Sequence, residues 1–189
     1  MDEKSPDDRL LTLLANLKLK KGETAAAEKL FELGHKTYPG DGKWPKALAG
    51  LYLKSGDTEK LAAVLTRLAD KDFDHLLYRK KLAQLALEKK EFAKAIDWAN
   101  QAVQINVMDA AVHRTLAAAL EAAGRTKDVV LEYETLIRLV PEDLGNHLAL
   151  AKALQKTGQP GKARDVVKKL TELDAEFPGA KELLEQLKP

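Results

Sequence analysis

A 34-residue beat runs through this chain and constrains it more than any other feature. Gly22, Gly56, Gly124 and Gly158 fall on it, and Lys90 fills the missing place. Five Leu-Ala pairs keep the same step: Leu14-Ala15, Leu48-Ala49, Leu82-Ala83, Leu116-Ala117 and Leu150-Ala151. Self-similarity at one fixed period means stacked copies of a supersecondary unit that cannot bury its apolar face alone. The units read from the beat are 8–41, 42–75, 76–109, 110–143 and 144–177, forming a single array over 1–189.

Each unit reads as two antiparallel helices. Ala, Leu, Lys and Glu dominate, whereas aromatics are only 5% of the chain, which favours helix over strand. Asp7, Asp41, Asp109 and Asp143 recur just before each first helix, where a carboxylate accepts from free backbone N–H groups. Ser5 followed by Pro6 is an equally good start for the first one. In the fourth unit the first helix runs from Asp109 to about Ala123. Gly124 then makes the left-handed turn, Thr126 to about Leu139 is the second helix, and Pro141 closes the unit. Within a Leu-Ala pair, Ala allows close approach of the next helix and Leu fills the groove beside it. Ala180, Leu183, Leu184 and Leu187 then keep helical spacing, so 178–188 is expected to be a capping helix over the last repeat.

These residues resemble the tetratricopeptide repeat family, whose pattern is W-x2-L-G-x2-Y, then A-x3-F, then P, over 34 residues. The first unit carries Leu14-Ala15, Ala27-x3-Phe31 and Pro39. The second carries Leu48-Ala49-x2-Tyr52. The fourth carries Leu116-Ala117, Val129-x3-Tyr133 and Pro141. The leading Trp is absent: Leu11, Pro45, Arg79, His113 and His147 stand there, and Ala replaces the small Gly. The third unit has Lys90 and Val107 where the turn Gly and closing Pro would be. The resemblance implies an all-α, right-handed superhelical solenoid of eleven helices. It also implies a scaffold that holds a protein or peptide partner in a concave groove lined by the first helices. The similar hairpin of pentatricopeptide RNA readers usually repeats at 35, in more basic chains.

Carried over by that resemblance, the groove places are Arg9, Thr12, Asn16, Leu19 and Lys20 in the first unit. They are Lys43, Lys46, Gly50, Leu53 and Lys54 in the second, and Leu77, Lys80, Gln84, Leu87 and Glu88 in the third. The fourth supplies Ala111, Arg114, Ala118, Glu121 and Ala122, and the fifth Gly145, Leu148, Lys152, Gln155 and Lys156. Nine of these are cations and two are anions, in a chain whose net charge is only +2. A concave face of one sign attracts opposite charge. The expected ligand is therefore an acidic segment or a C-terminal carboxylate, with Leu19, Leu53 and Leu87 as an apolar strip. The alternative is a solvated lysine face on a module that packs against itself or against another domain. The carboxylate clamp that some members use for chaperone C-termini is not intact: Asn16 is present, but Thr12 replaces its Lys, and Lys81 stands where a donor amide or Arg is needed.

Other chemistry finds little support. The chain lacks cysteine, H-E-x-x-H, a Gly-rich phosphate loop and G-x-S-x-G, so neither catalytic residues nor a cofactor are expected. His113 and His147 are one period apart, hence roughly 10 Å apart on neighbouring helices, too far for one metal. They are expected to pack. Trp44 is expected to cover the first junction, with a partner anchor as the alternative. Trp98 is expected to be displaced core or an outer contact. The near-balanced charge and the lack of aromatics on first helices speak against nucleic acid. No transmembrane segment or signal peptide is read. Self-association, the compartment, and whether the sequence is a piece of a longer protein all stay open.

Overall fold

The structure, a computed structural model, describes residues 6–187. Ser5 and Lys188 lie outside the described residues. Among these the chain holds eleven helices and no strand: it is an all-α helical-repeat solenoid. Its contacts divide it into two compact units, one up to Leu82 and one from Ala83.

The first unit contains α1 (Asp8–Lys20), α2 (Thr24–Thr37), α3 (Lys43–Ser55), α4 (Thr58–Lys71) and the first half of α5 (Leu76–Glu88). The second holds the rest of α5, α6 (Phe92–Ile105), α7 (Ala110–Ala122), α8 (Thr126–Leu139), α9 (Gly145–Lys156), α10 (Pro160–Leu173) and α11 (Ala180–Gln186). In the first unit α1 packs on α2, α2 on α3, and α3 on α4. In the second, α6 through α11 pack in the same sequential way.

The turns explain why the hairpins form. Gly22, Gly56, Gly124 and Gly158 all take positive φ, between 71° and 76°. Lys90 adopts the same left-handed conformation with φ 60°, although it carries a Cβ. Its turn is bonded as those at Gly22, Gly124 and Gly158 are: Lys90 N–H donates to Leu87 O at 2.9 Å and Glu91 N–H to Ala86 O at 2.8 Å. The third hairpin is therefore made without glycine.

The caps partly follow the sequence pattern. Asp7 accepts from Leu10 N–H, and Asp109 accepts from Ala111 and Val112 N–H. Asp41 accepts from Lys43 N–H one place before the assigned cap, Gly42. Asp143 does not cap: Leu144 holds that position, and Asp143 instead pairs with Arg114. Asp57 caps α4, a second helix, by accepting from Lys60 N–H.

The residues at the leading place, Leu11, Pro45, Arg79, His113 and His147, are all buried. Arg79 donates to the Asp72 and Ala69 carbonyls, both at 3.0 Å, and so closes the C-terminus of α4. Trp44 is core and not a partner anchor. It lies against Gly34, stacks with Tyr38 at 6.4 Å between centroids and tilts against Phe31. A Cβ on Gly34 would stand 2.4 Å from the Trp44 ring, so only glycine fits there. Trp98 is half-buried, and Ala99 beside it is fully buried. Glu28 on α2 accepts from Tyr52 on α3 and from Lys60 on α4, at 3.0 and 2.6 Å, tying three helices together. At the C-terminal end α11 packs on α10 through buried Ala180, Leu183 and Leu187, and Arg164 donates to the Leu187 carbonyl.

Candidate functional site

A cleft in the first unit lies on the first-helix face. Asn16 and Leu19 of α1 meet Gly50 and Lys54 of α3 around a cavity of about 520 Å³. Phe31 of α2, Ala47, Leu51 and Ser55 are also in its lining. Gly50 makes the notch: a Cβ there would meet nothing within 4 Å, so the missing side chain leaves open space and bare helix backbone. Four of the places carried over from the family pattern are thus brought together.

The other expected places in this unit divide into two groups. Arg9, Lys20, Lys46 and Lys54 are exposed, with no ionic partner among the described residues. Lys20 and Lys54 lie in the last turns of α1 and α3, where the helix dipole by itself favours a cation. Lys43 is different. It pairs with Asp8 on α1 and, at 3.4 Å, with Asp41, and it lies 4.7 Å from the Trp44 ring centroid. The Asp8 contact above all holds its ammonium above the ordinary lysine value. Lys43 is a strut between helices, and the positive excess on this face is smaller than the residue count suggests. Leu53 and Leu77 are well exposed, Thr12 is half-buried, and Lys80 is half-buried with an interaction of its own.

In the second unit, Gln84, Glu88, Ala111, Glu121, Ala122, Lys152 and Lys156 are exposed, while Leu87, Ala118 and Gln155 are half-buried. Arg114 pairs with Asp143 at 3.1 Å, so its charge too is spent within the fold. Leu148 is half-buried beside Gly179, where the chain turns into α11, and Gly145 opens α9. Lys156 lines a hollow of about 570 Å³ with the turn residues Gly124, Arg125, Thr126, Lys127 and Asp128, and none of the expected places on α7 is in that lining.

A feature the repeat pattern concealed lies on α1. Leu10, Leu13, Leu14 and Leu17 are 53, 64, 38 and 45% exposed, and their i, i+3, i+4, i+7 spacing makes one stripe. One repeat later, Trp44, Leu48 and Leu51 hold the places of Leu10, Leu14 and Leu17 and are 1, 4 and 7% exposed, because α3 packs on α2. In the second unit Val112, Leu116 and Ala119 on α7 are buried likewise, with α7 packed on α6. Leu14 therefore does not fill a groove as its four counterparts do. No described helix precedes α1 to cover it. The signal was present in the sequence: α1 carries Leu on every side.

Among the described residues no group of three or more His, Asp or Glu could hold a metal ion, and no helix is long and apolar enough to cross a membrane.

Comparison with known proteins agrees with this geometry. A family model described as tetratricopeptide repeat matches residues 46–77. No curated protein matches the chain in sequence. Among solved structures, the chain is similar to the MamA protein, with TM-score 0.68 and 19% identity over 92% of this chain and 94% of that one. It is similar to MamA from Desulfovibrio magneticus RS-1, with TM-score 0.63 and 15% identity over 90% and 97%. It is also similar to YrrB, described as a TPR protein with an unusual peptide-binding site, with TM-score 0.70 and 11% identity over 97% and 95%. At these identities the likeness is one of fold.

Proposed function

We propose that the chain, whose repeats fold like tetratricopeptide repeats and whose residues 46–77 match that family's model, is a non-enzymatic scaffold for protein–protein interaction whose first-unit cleft takes an extended acidic segment. The observation that carries this reading is the cleft at Gly50. Its lining joins an amide (Asn16), apolar side chains (Leu19, Leu51) and a cation (Lys54), and unpaired Arg9, Lys20 and Lys46 lie on the same two helices. A peptide laid there gains apolar contact from the leucines, orientation from Asn16 and attraction from the cations. YrrB supports peptide binding as a use of this fold.

The test is a fluorescence-anisotropy titration with labelled acidic peptides carrying Leu, at low and high salt. Binding that weakens with salt is expected. It should be lost in Lys46→Glu/Lys54→Glu and blocked in Gly50→Leu, whose added side chain enters open space and leaves the core alone. Peptides indifferent to all three changes would refute the cleft.

A second reading, assembly through α1, rests on the exposed leucine stripe. It presents an apolar surface on the order of a few hundred Å², shaped like the faces that the repeats use on one another. Sedimentation velocity decides it. Concentration-dependent association abolished by Leu13→Glu/Leu17→Glu supports it, and a monomer at all concentrations refutes self-association.

A further inference from the structure

His113 and His147 hold the same place in consecutive repeats, yet their surroundings differ. On α7, His113 Nδ1 lies 2.6 Å from Glu132 Oε2 on α8, and Nε2 lies 2.8 Å from the Val107 carbonyl. Both nitrogens are engaged. On α9, His147 is as deeply buried, but Val166 stands where the pattern would put Glu132. Its Nδ1 is buried with no hydrogen-bond partner. Leaving such a nitrogen unpaired costs about 1–3 kcal/mol.

Beside the ring is a cavity of about 240 Å³, lined by His147, Val166, Arg138, Lys169 and Glu134, with Leu150 and Ile137 as its apolar wall. Two of the lining residues are further departures from the repeat. One period earlier, Gln104 and Thr135 stand in the places of Arg138 and Lys169. This interface has thus lost its internal carboxylate, left an imidazole nitrogen bare and gained two cations. Glu134 is the one acid in the lining. A trapped water would satisfy the nitrogen but would not account for the cations.

We propose that the cavity between α8, α9 and α10 binds a carboxylate, which takes the place held by Glu132 in the preceding repeat and is gripped by His147, Arg138 and Lys169. The volume is below the roughly 300–1,000 Å³ of drug-sized pockets, so the ligand is side-chain-sized: a small free acid, or the end of an Asp or Glu presented by a partner. The site lies wholly in the second unit and does not depend on the cleft of the first. It is also linked to protons. Burial, and then Lys169, hold His147 below the ordinary imidazole value. Arg138 acts in the same sense and Glu134 against it. A bound carboxylate opposes the cations and raises that value, so binding takes up a proton and strengthens as pH falls from the bound value to the free one.

The experiment follows the His ring signals by NMR, with His147 assigned from the spectrum of His147→Gln. The probes are acetate at constant ionic strength and a blocked Ala-Ala-Glu-Ala-Ala peptide. A saturable shift confined to His147, with its titration midpoint moved upward, is expected. Arg138→Gln/Lys169→Thr, which restores the residues of the earlier repeat, should weaken binding about tenfold or more. Val166→Glu supplies the missing carboxylate from within. It should move the His147 midpoint upward with no ligand and abolish the response to both probes. A response to both probes marks a site open to free acids, and a response to the peptide alone marks a partner's side chain as the source. No response in a protein whose Val166→Glu variant folds and moves the His147 signal, or equal shifts at all four histidines, would overturn the proposal.

Discussion

Replacing Lys90 by glycine should stabilise the protein. Lys90 is exposed, makes the same backbone hydrogen bonds as Gly124 in its turn, and differs from it by holding a Cβ at φ 60°. The left-handed conformation costs a residue with a side chain about 1–2 kcal/mol. Glycine relieves that cost but adds freedom to the unfolded chain, worth about 0.4–1 kcal/mol. The expected net gain for Lys90→Gly is therefore roughly 0.5–1 kcal/mol, or a rise in Tm of about 1–4 °C for a chain of this length. The reciprocal change, Gly124→Ala, should lose roughly 0.5–1 kcal/mol by the same balance. Urea unfolding followed by circular dichroism measures both, with the slope checked for constancy. Repeat stability is close to a sum of local terms, so amide exchange around residues 86–91 should slow in Lys90→Gly. A Gly124→Ala variant that loses stability beside a Lys90→Gly variant that gains none would refute the reasoning.

Three further outcomes are expected. Gly34→Ala drives a methyl into the Trp44 ring, which Phe31 and Tyr38 hold in place, and should cost about 2–3 kcal/mol in urea denaturation. Adding Trp44→Leu should recover part of that loss in a double-mutant cycle. Arg79→Met keeps the length of the side chain but strips two helix-end carbonyls of their donors, and should cost about 2–3 kcal/mol in the same assay. The third outcome concerns pH. The Lys60 hydrogen bond, followed by that of Tyr52, holds the Glu28 carboxyl below the ordinary carboxylate value against the opposing effect of burial. Its contribution is therefore full above that value and is lost as pH falls through the folded one. Glu28→Gln should melt below the parent at pH 7, and the gap should narrow as pH falls below the ordinary glutamate value of about 4.3. A gap independent of pH would rule out this role.

Much of the fold was legible because a fixed period needs no propensity table. The turn residues and Leu-Ala pairs placed the hairpins, but nothing in the residue type of Lys90 announced that it would itself take the left-handed conformation. Other details depended on side chains the beat does not mention. Asp143 looked like its capping counterparts until Arg114, 29 residues away, claimed its carboxylate. Lys43 looked like an open cation until Asp8 and Asp41 were found beside it. In the cleft, Asn16, Leu19, Gly50 and Lys54 were named from the family pattern, but Phe31 and Ser55, which help to shape it, were not. Period also hides what breaks it. Leu14 shares a residue type with four buried leucines and differs from them only in lacking a neighbour. His147 shares one with His113 and differs through Val166, which stands where the preceding interface has Glu132.

The fit of Trp44 into the space left by Gly34 also bears on whether these repeats are interchangeable parts. The place of Gly34 is held by Leu136 in the fourth unit, fully buried, and the place of Trp44 by Asn146 in the fifth. A shuffled array that set a leucine against the tryptophan would collide, and one that set the glycine against the asparagine would leave a hole. Junctions cut to different keys admit one order of assembly. A chain of five similar repeats, free in principle to slip or exchange hairpins while folding, is thereby steered toward the order in which it is written.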